Sequence, residues 1–139
     1  MKRATGTFTV RLTPQPPDEF ADGQGLARLT IDKVFSGDLS ASSKGQMLSA
    51  MGHVKGSAGY VAMELVTGTL AGREGSFALQ HSGTMDRGQP SLSLAVVPDS
   101  GTDGLTGLTG RMAILIADGT HSYAFDYAFA ADLPQVESV

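Results

Sequence analysis

Glu64 and His81 are the residues in this sequence whose types and spacing best suit acid–base chemistry. In the stretch 76–85, large apolar residues alternate with small or polar ones, so His81 shares one strand face with Phe77 and Leu79. In the stretch 60–70, the same alternation puts Glu64 on the apolar face. Since burying an imidazole is costly unless a partner satisfies it, the two side chains are expected to form a buried carboxylate–imidazole pair.

The expected pairing of these two strands makes Glu64 and His81 neighbours. If residues 71–75 form the connection and Leu70 faces Phe77, Val66 lies opposite His81 and Glu64 opposite Gly83. Glu64 and His81 are then diagonal neighbours on one sheet face. Such a pair can transfer protons near neutral pH. The two side chains can equally form a structural hydrogen bond with each other inside the core, and the sequence leaves both interpretations open.

Aromatic and flexible apolar side chains are predicted to line a ligand site around this pair. The last strand alternates aromatic with smaller residues, and its tyrosines offer hydroxyl groups among rings, although ordinary core packing explains the same pattern. Glu64 and His81 are the predicted catalytic residues. The predicted substrate-binding residues are Tyr60, Phe77, Leu79, Met85, Tyr123, Phe125 and Tyr127.

The elements that position these residues are predicted to be strands. Glycine makes up 18 of 139 residues and interrupts every stretch that is long enough for an average helix, so at most one helical turn is expected, near residues 105–108. The strand candidates are Arg3–Leu12, Leu26–Phe35, Asp38–Ser42, Gly45–Met51, Tyr60–Leu70, Ser76–Met85, Ser91–Val97, Arg111–Ala117 and His121–Ala130.

The spacing of these strands predicts an all-β fold in a single domain, residues 1–139. Turn-forming residues at 71–75, 86–90 and 118–119 separate consecutive strands and indicate an antiparallel meander. Closing eight strands into a barrel removes the exposed edges and leaves room for one small ligand. The proline-rich segment Thr13–Gly25 is interpreted either as a lid over one barrel mouth or as an ordinary surface loop.

Composition excludes several classes of function. There is no cysteine, and the three histidines lie in separate segments without metal-ligand spacing, so neither a metal nor another cofactor is expected. The net charge is −4 and the basic residues are scattered, which argues against nucleic acid as a partner. No segment resembles a signal peptide or a membrane span, so we expect a cytoplasmic protein that does not bind membranes.

Five sequence blocks carry a resemblance to known proteins: Ala4–Val10, Val34–Leu39, Val66–Met85, Val96–Thr102 and Phe125–Tyr127. They resemble an uncharacterised bacterial family of small proteins with the allene oxide cyclase-like barrel. The resemblance implies an eight-stranded antiparallel closed β-barrel with a ligand-sized interior, and self-association, for example as a homodimer. Glu64 and His81 fall at positions typical of the family, whereas Asp99 and Asp103 stand where glycine is expected.

The expected function is a cofactor-independent isomerase or cyclase that acts on a small, mainly apolar metabolite. The resemblance points to a polyketide or other secondary-metabolite intermediate and to ring formation, such as that of a spiroacetal. The barrel would hold one substrate conformation while Glu64 and His81 move a proton. The alternatives are a non-catalytic carrier or sensor of a hydrophobic small molecule and a purely structural barrel with a filled interior.

Overall fold

The computed structural model describes residues 1–16 and 25–132, which form eight β-strands and two short 3₁₀ turns. The strands are β1 (Lys2–Pro14), β2 (Leu26–Gly37), β3 (Leu39–Met51), β4 (Ala58–Leu70), β5 (Arg73–Asp86), β6 (Gln89–Val96), β7 (Leu108–Ala117) and β8 (Thr120–Phe129). The 3₁₀ turns are Asp103–Leu105 and Ala130–Asp132. No helix within these described ranges is long and apolar enough to cross a membrane.

The eight strands form a closed antiparallel barrel, as predicted. Each strand pairs with its neighbours in the sequence, and β8 returns to pair with β1, with Ala4 opposite Phe125. Inward-facing and outward-facing side chains alternate along every strand, so the inward residues of all eight strands form one shared interior.

The third strand corrects the predicted strand pattern. The sequence predicts Asp38–Ser42 and Gly45–Met51 as separate strands, but one strand, β3, runs from Leu39 to Met51. Gly45 lies opposite Glu64 in the ladder, and a Cβ atom on Gly45 would overlap the Met63 carbonyl oxygen. The glycine therefore marks a close approach of two strands rather than the end of one.

The connection from β4 to β5 is shorter than predicted, which makes the predicted register wrong. Ala71 and Gly72 alone form the turn, and both have positive φ angles, 48° and 84°, as a type I′ hairpin requires. Leu70 consequently pairs with Arg73 instead of Phe77. The displacement is an even number of residues, so every side chain keeps its predicted face.

One half of the interior is filled with aromatic and aliphatic side chains, and we call it the packed half. It lies towards the Ala71–Gly72 turn. The rings of Phe77 and Phe125 stack with their centroids 5.8 Å apart, and both side chains are fully buried. The Tyr123 hydroxyl donates to the Ser36 carbonyl oxygen and accepts from the Leu39 amide, which ties β8 to the β2–β3 connection.

The other half of the interior, the open half, lies towards the ends of β1 and β3. Its inward side chains are more exposed; Met85, for example, retains 41% of its accessible surface. The segment Thr13–Gly25, interpreted as a lid or a surface loop, lies at this end, but its first two residues, Thr13 and Pro14, belong to β1. Residues 17–24 of that segment lie outside the described residues.

Candidate functional site

Four neighbouring strands each place one polar side chain on the inward face where the packed half meets the open half. We call these residues, Lys33, Ser43, Glu64 and His81, the polar belt. Lys33 pairs directly with Ser43 in the β2–β3 ladder, while Glu64 lies diagonally from both Ser43 and His81. All four are buried; Glu64 retains 1% and His81 4% of the accessible surface. Because lysine and glutamate are rarely buried without partners, this cluster needs internal compensation.

Lys33 and Glu64 compensate each other as an ion pair. Lys33 Nζ donates a hydrogen bond of 3.0 Å to Glu64 Oε1. The same ammonium lies over two aromatic rings, 5.0 Å from the centroid of Phe8 and 5.8 Å from that of Phe35. Carboxylate and ring faces therefore surround the buried positive charge with negative potential.

His81 contacts the same carboxylate oxygen from the other side. Its Nε2 atom lies 3.5 Å from Glu64 Oε1, at the far limit of a hydrogen bond and without the geometry of one, so the contact is electrostatic. Three buried polar atoms have no hydrogen-bond partner among the described residues: Ser43 Oγ, Glu64 Oε2 and His81 Nε2. The polar belt can therefore form further hydrogen bonds at these atoms, next to the Lys33–Glu64 ion pair.

The surroundings of Glu64 favour its charged form. Burial raises the pKa of Glu64, whereas contact with His81 and with the Lys33 ammonium lowers it. The lowering effects together outweigh the effect of burial, so the pKa of Glu64 lies below its usual value. Glu64 is therefore a carboxylate at neutral pH, available as an acceptor and not as a proton donor.

Tyr60 separates the polar belt from a cavity in the open half. Its ring lies over Gly83, where a Cβ atom would collide with it, and the ring centroid is 6.4 Å from that of His81. Burial and the nearby Glu64 charge raise the pKa of Tyr60, so the phenol stays protonated at neutral pH. The cavity has a volume of about 350 Å³ and is lined by Met47, Ser49, Ala58, Gly59, Tyr60, Gly83, Thr84, Met85, Pro90, Ser91 and Leu92.

A larger groove of about 850 Å³ lies on the outer surface of β3, β4 and β5. Its lining includes Lys44, Met63 and Gln80, whose side chains alternate with the inward residues of the same strands. Glu64 and His81 are also among its lining residues, but both side chains are buried on the inward face of the barrel. The smaller inner cavity is therefore the better candidate for the site of chemistry.

The structure brings together some of the predicted site residues and not others. Glu64, His81 and Tyr60 lie together, and Met85 lies beside Tyr60 at the cavity. Leu79 pairs with Glu64 in the ladder but is fully buried. The remaining predicted binding residues lie in the packed half, namely Phe77, Tyr123, Phe125 and Tyr127.

Sequence reasoning missed Lys33 and Ser43. Lys33 lies between Ile31 and Phe35 in a strict alternation, which places it on the inward face, so the signal for Lys33 was present. Ser43 fell in the gap between two predicted strands that are in fact one. Among the described residues, no group of three histidine, aspartate or glutamate side chains is arranged to hold a metal ion.

Comparison with known proteins identifies a family. Residues 4–127 match the model of the family described as "Protein of unknown function (DUF3224)". A crystal structure of a DUF3224 protein with unknown function from Shewanella oneidensis MR-1 is similar: it is 54% identical, with a TM-score of 0.87, over 93% of this chain and 97% of that chain. No curated protein matches. The chain belongs to the DUF3224 family.

Proposed function

We propose that this barrel is a cofactor-independent isomerase or cyclase that acts on a small, mainly apolar metabolite at its open half. The observation that carries the proposal is the polar belt, a buried ion pair beside an imidazole that packs against Tyr60, a residue that lines an apolar cavity. Burying charged groups costs free energy, and an interior can be packed without them. Buried charged groups are instead concentrated at functional sites. A cavity of about 350 Å³ is at the lower end of the range for small-molecule sites.

His81 is the group that would exchange protons with the substrate. Its ring lies 6.4 Å from that of Tyr60, which lines the cavity, and an imidazole has one nitrogen that can accept a proton and one that can donate it. Glu64, held as a carboxylate, would orient the imidazole and stabilise its protonated form. Lys33 would balance the Glu64 charge while His81 is neutral.

An isomerisation fits this set of groups because it needs neither an electron acceptor nor a second substrate. A proton leaves one substrate atom and another is delivered elsewhere, so one imidazole can serve both steps. The cavity walls would hold a folded substrate conformation and exclude water, which favours ring closure. The resemblance to allene oxide cyclase-like barrels supports this reaction class and a secondary-metabolite substrate such as a polyketide intermediate, in the cytoplasm.

The test uses the apolar fraction of a metabolite extract from the producing organism, incubated with the protein in H₂O and in D₂O. Liquid chromatography with mass spectrometry should show a compound converted to an isomer of equal mass in H₂O, with deuterium incorporated in D₂O. Glu64→Gln and His81→Gln should each slow this conversion by about 100-fold or more. Gln80→Ala changes the outward neighbour of His81 and serves as the matched control. Undiminished conversion in both site variants would refute the assignment of these residues.

A carrier or sensor of a hydrophobic molecule is the second candidate, and the apolar lining of the cavity favours it. A carrier needs the cavity but no proton transfer. The same experiment separates the two functions, since a carrier would retain a compound unchanged and Glu64→Gln would still bind it.

A further inference from the structure

We propose that the polar belt recognises a hydroxyl group, so that the ligand is an alcohol or enol with an apolar body. The inference deepens the proposed function, on which it rests for the location of the site, by naming the chemical class of the ligand. It starts from the three buried atoms that have no partner among the described residues.

The unpartnered atoms differ in whether they donate or accept hydrogen bonds. Glu64 Oε2 belongs to a carboxylate and accepts hydrogen bonds only, while Ser43 Oγ both donates and accepts. His81 Nε2 is a donor whenever that nitrogen carries the proton, as it does in the imidazolium form. A group that satisfies both Glu64 and His81 must therefore donate and accept at one atom, and a hydroxyl group does so.

Other polar groups fit this set less well. A ketone or ester oxygen accepts only and would leave Glu64 Oε2 unsatisfied, at the cost of a buried polar atom without a partner. A ligand carboxylate would stand beside the Glu64 carboxylate, which repels it. A ligand ammonium would compete with Lys33, whose charge already has a hydrogen-bonded carboxylate and two aromatic rings around it.

The apolar body has its place two residues nearer to the open end. Tyr60 pairs with Gly83 there, and this is the next inward-facing pair after Ala62 and His81. The cavity on the far side of Tyr60 has walls of Met47, Met85 and Leu92, which suit an irregular apolar ligand. Tyr60 lines this cavity and its ring lies 6.4 Å from that of His81, so a turn of the Tyr60 side chain away from Gly83 would let the hydroxyl group reach His81.

The test compares five compounds with one carbon skeleton: methylcyclohexane, cyclohexylmethanol, cyclohexanecarbaldehyde, cyclohexanecarboxylate and cyclohexylmethylamine. Binding is followed by NMR, using the His81 imidazole signals and titration to a dissociation constant. We expect cyclohexylmethanol to bind at least about tenfold more tightly than each of the other four, as a hydrogen bond to a charged group predicts.

Variants show whether the preference comes from the belt. Ser43→Ala should weaken cyclohexylmethanol binding severalfold, and Glu64→Gln should reduce it towards that of methylcyclohexane. Neither should change methylcyclohexane binding. Ser42→Ala, whose side chain lies on the outer face, is the matched control. Circular dichroism confirms that each variant is folded.

The outcomes separate this inference from the proposed function. Equal binding of all five compounds, no binding of any, or a preference for the aldehyde, carboxylate or amine would overturn hydroxyl recognition, even where isomerisation of another compound is found. A hydroxyl preference that Ser43→Ala weakens and Glu64→Gln abolishes supports hydroxyl recognition, whether or not the extract experiment finds a reaction.

Discussion

The packed half and the open half of the barrel are built by the same strands, yet they contain opposite kinds of side chain. Towards the Ala71–Gly72 turn, β5 contributes Phe77 and Leu79; towards the open end it contributes His81 and Gly83. The packed half consists of buried apolar side chains. The buried polar belt follows at its boundary, and the open half beyond it contains small or more exposed residues such as Gly83 and Met85.

This division indicates that stability and chemistry have separate locations in one strand scaffold. A buried ion pair contributes little net stability, because desolvation of both charges offsets their attraction. The aromatic packing must therefore provide the free energy that keeps the polar belt rigid and in place. Substitutions in the two halves should consequently differ in what they affect.

The largest effect is expected in the packed half. Phe125→Ala removes a fully buried ring that stacks on Phe77 and should lower the free energy of unfolding by about 4 kcal/mol. Urea unfolding followed by circular dichroism measures it. Phe125→Leu is the milder control, since it retains most of the apolar volume. A loss below about 1 kcal/mol for Phe125→Ala would mean that the packed half does not dominate stability.

The next largest effect is expected when the ion pair is broken from one side. Lys33→Met leaves the Glu64 carboxylate buried without its ammonium partner and should cost about 3 kcal/mol of unfolding free energy. The double variant Lys33→Met with Glu64→Leu removes both charges and should recover most of that loss. If the double variant is as unstable as the single one, the cost comes from packing around Lys33 and not from the unpaired charge.

A smaller effect is expected in acid. The pKa of Glu64 is lower in the folded protein than its usual value of 4.5, so the folded state releases this proton more readily than the unfolded state does. The resulting stabilisation is complete above that usual value and is lost as the pH falls through the folded pKa.

Glu64→Gln provides the measurement of this acid dependence. In a series of urea unfolding curves, the wild type should lose stability relative to Glu64→Gln as the pH is lowered from about 5 through the usual pKa of 4.5 and below it. Asp126→Asn is the comparison, because the pKa of Asp126 is also lowered, by Arg3, but that pair is exposed to solvent and screened. Parallel curves for wild type and Glu64→Gln would show that Glu64 does not titrate differently on folding.

The sequence predicted the fold and the contact between Glu64 and His81 for the same physical reason. Side chains in a strand alternate with a strict period of two, so faces are readable without knowledge of the register. The predicted register of β4 and β5 was wrong, but by an even number of residues, and Glu64 and His81 remained diagonal neighbours.

What the sequence did not predict depends on contacts between distant segments. The ion pair joins β2 to β4, and the pattern that placed Lys33 inward did not show which carboxylate it meets. The sequence also left open whether Tyr127 and Phe125 line a ligand site or pack in the core, because the ring contacts that fill the interior arise only when the barrel closes. Whether an aromatic side chain packs or lines a cavity is decided by closure and not by its own strand.

The smallest effect is expected one residue from the site, on the other face of β4. Met63 precedes Glu64, points outward and retains 50% of its accessible surface, so Met63→Gln should change the unfolding free energy by no more than about 0.5 kcal/mol. Urea unfolding measures this against Ala62→Gln, which puts a larger polar side chain inside the barrel beside His81 and should be strongly destabilising. If Met63→Gln lowered the unfolding free energy as much as Ala62→Gln, the outer face of β4 would be covered by another surface in solution. The division into a packed and an open half would then not be the main division of the molecule.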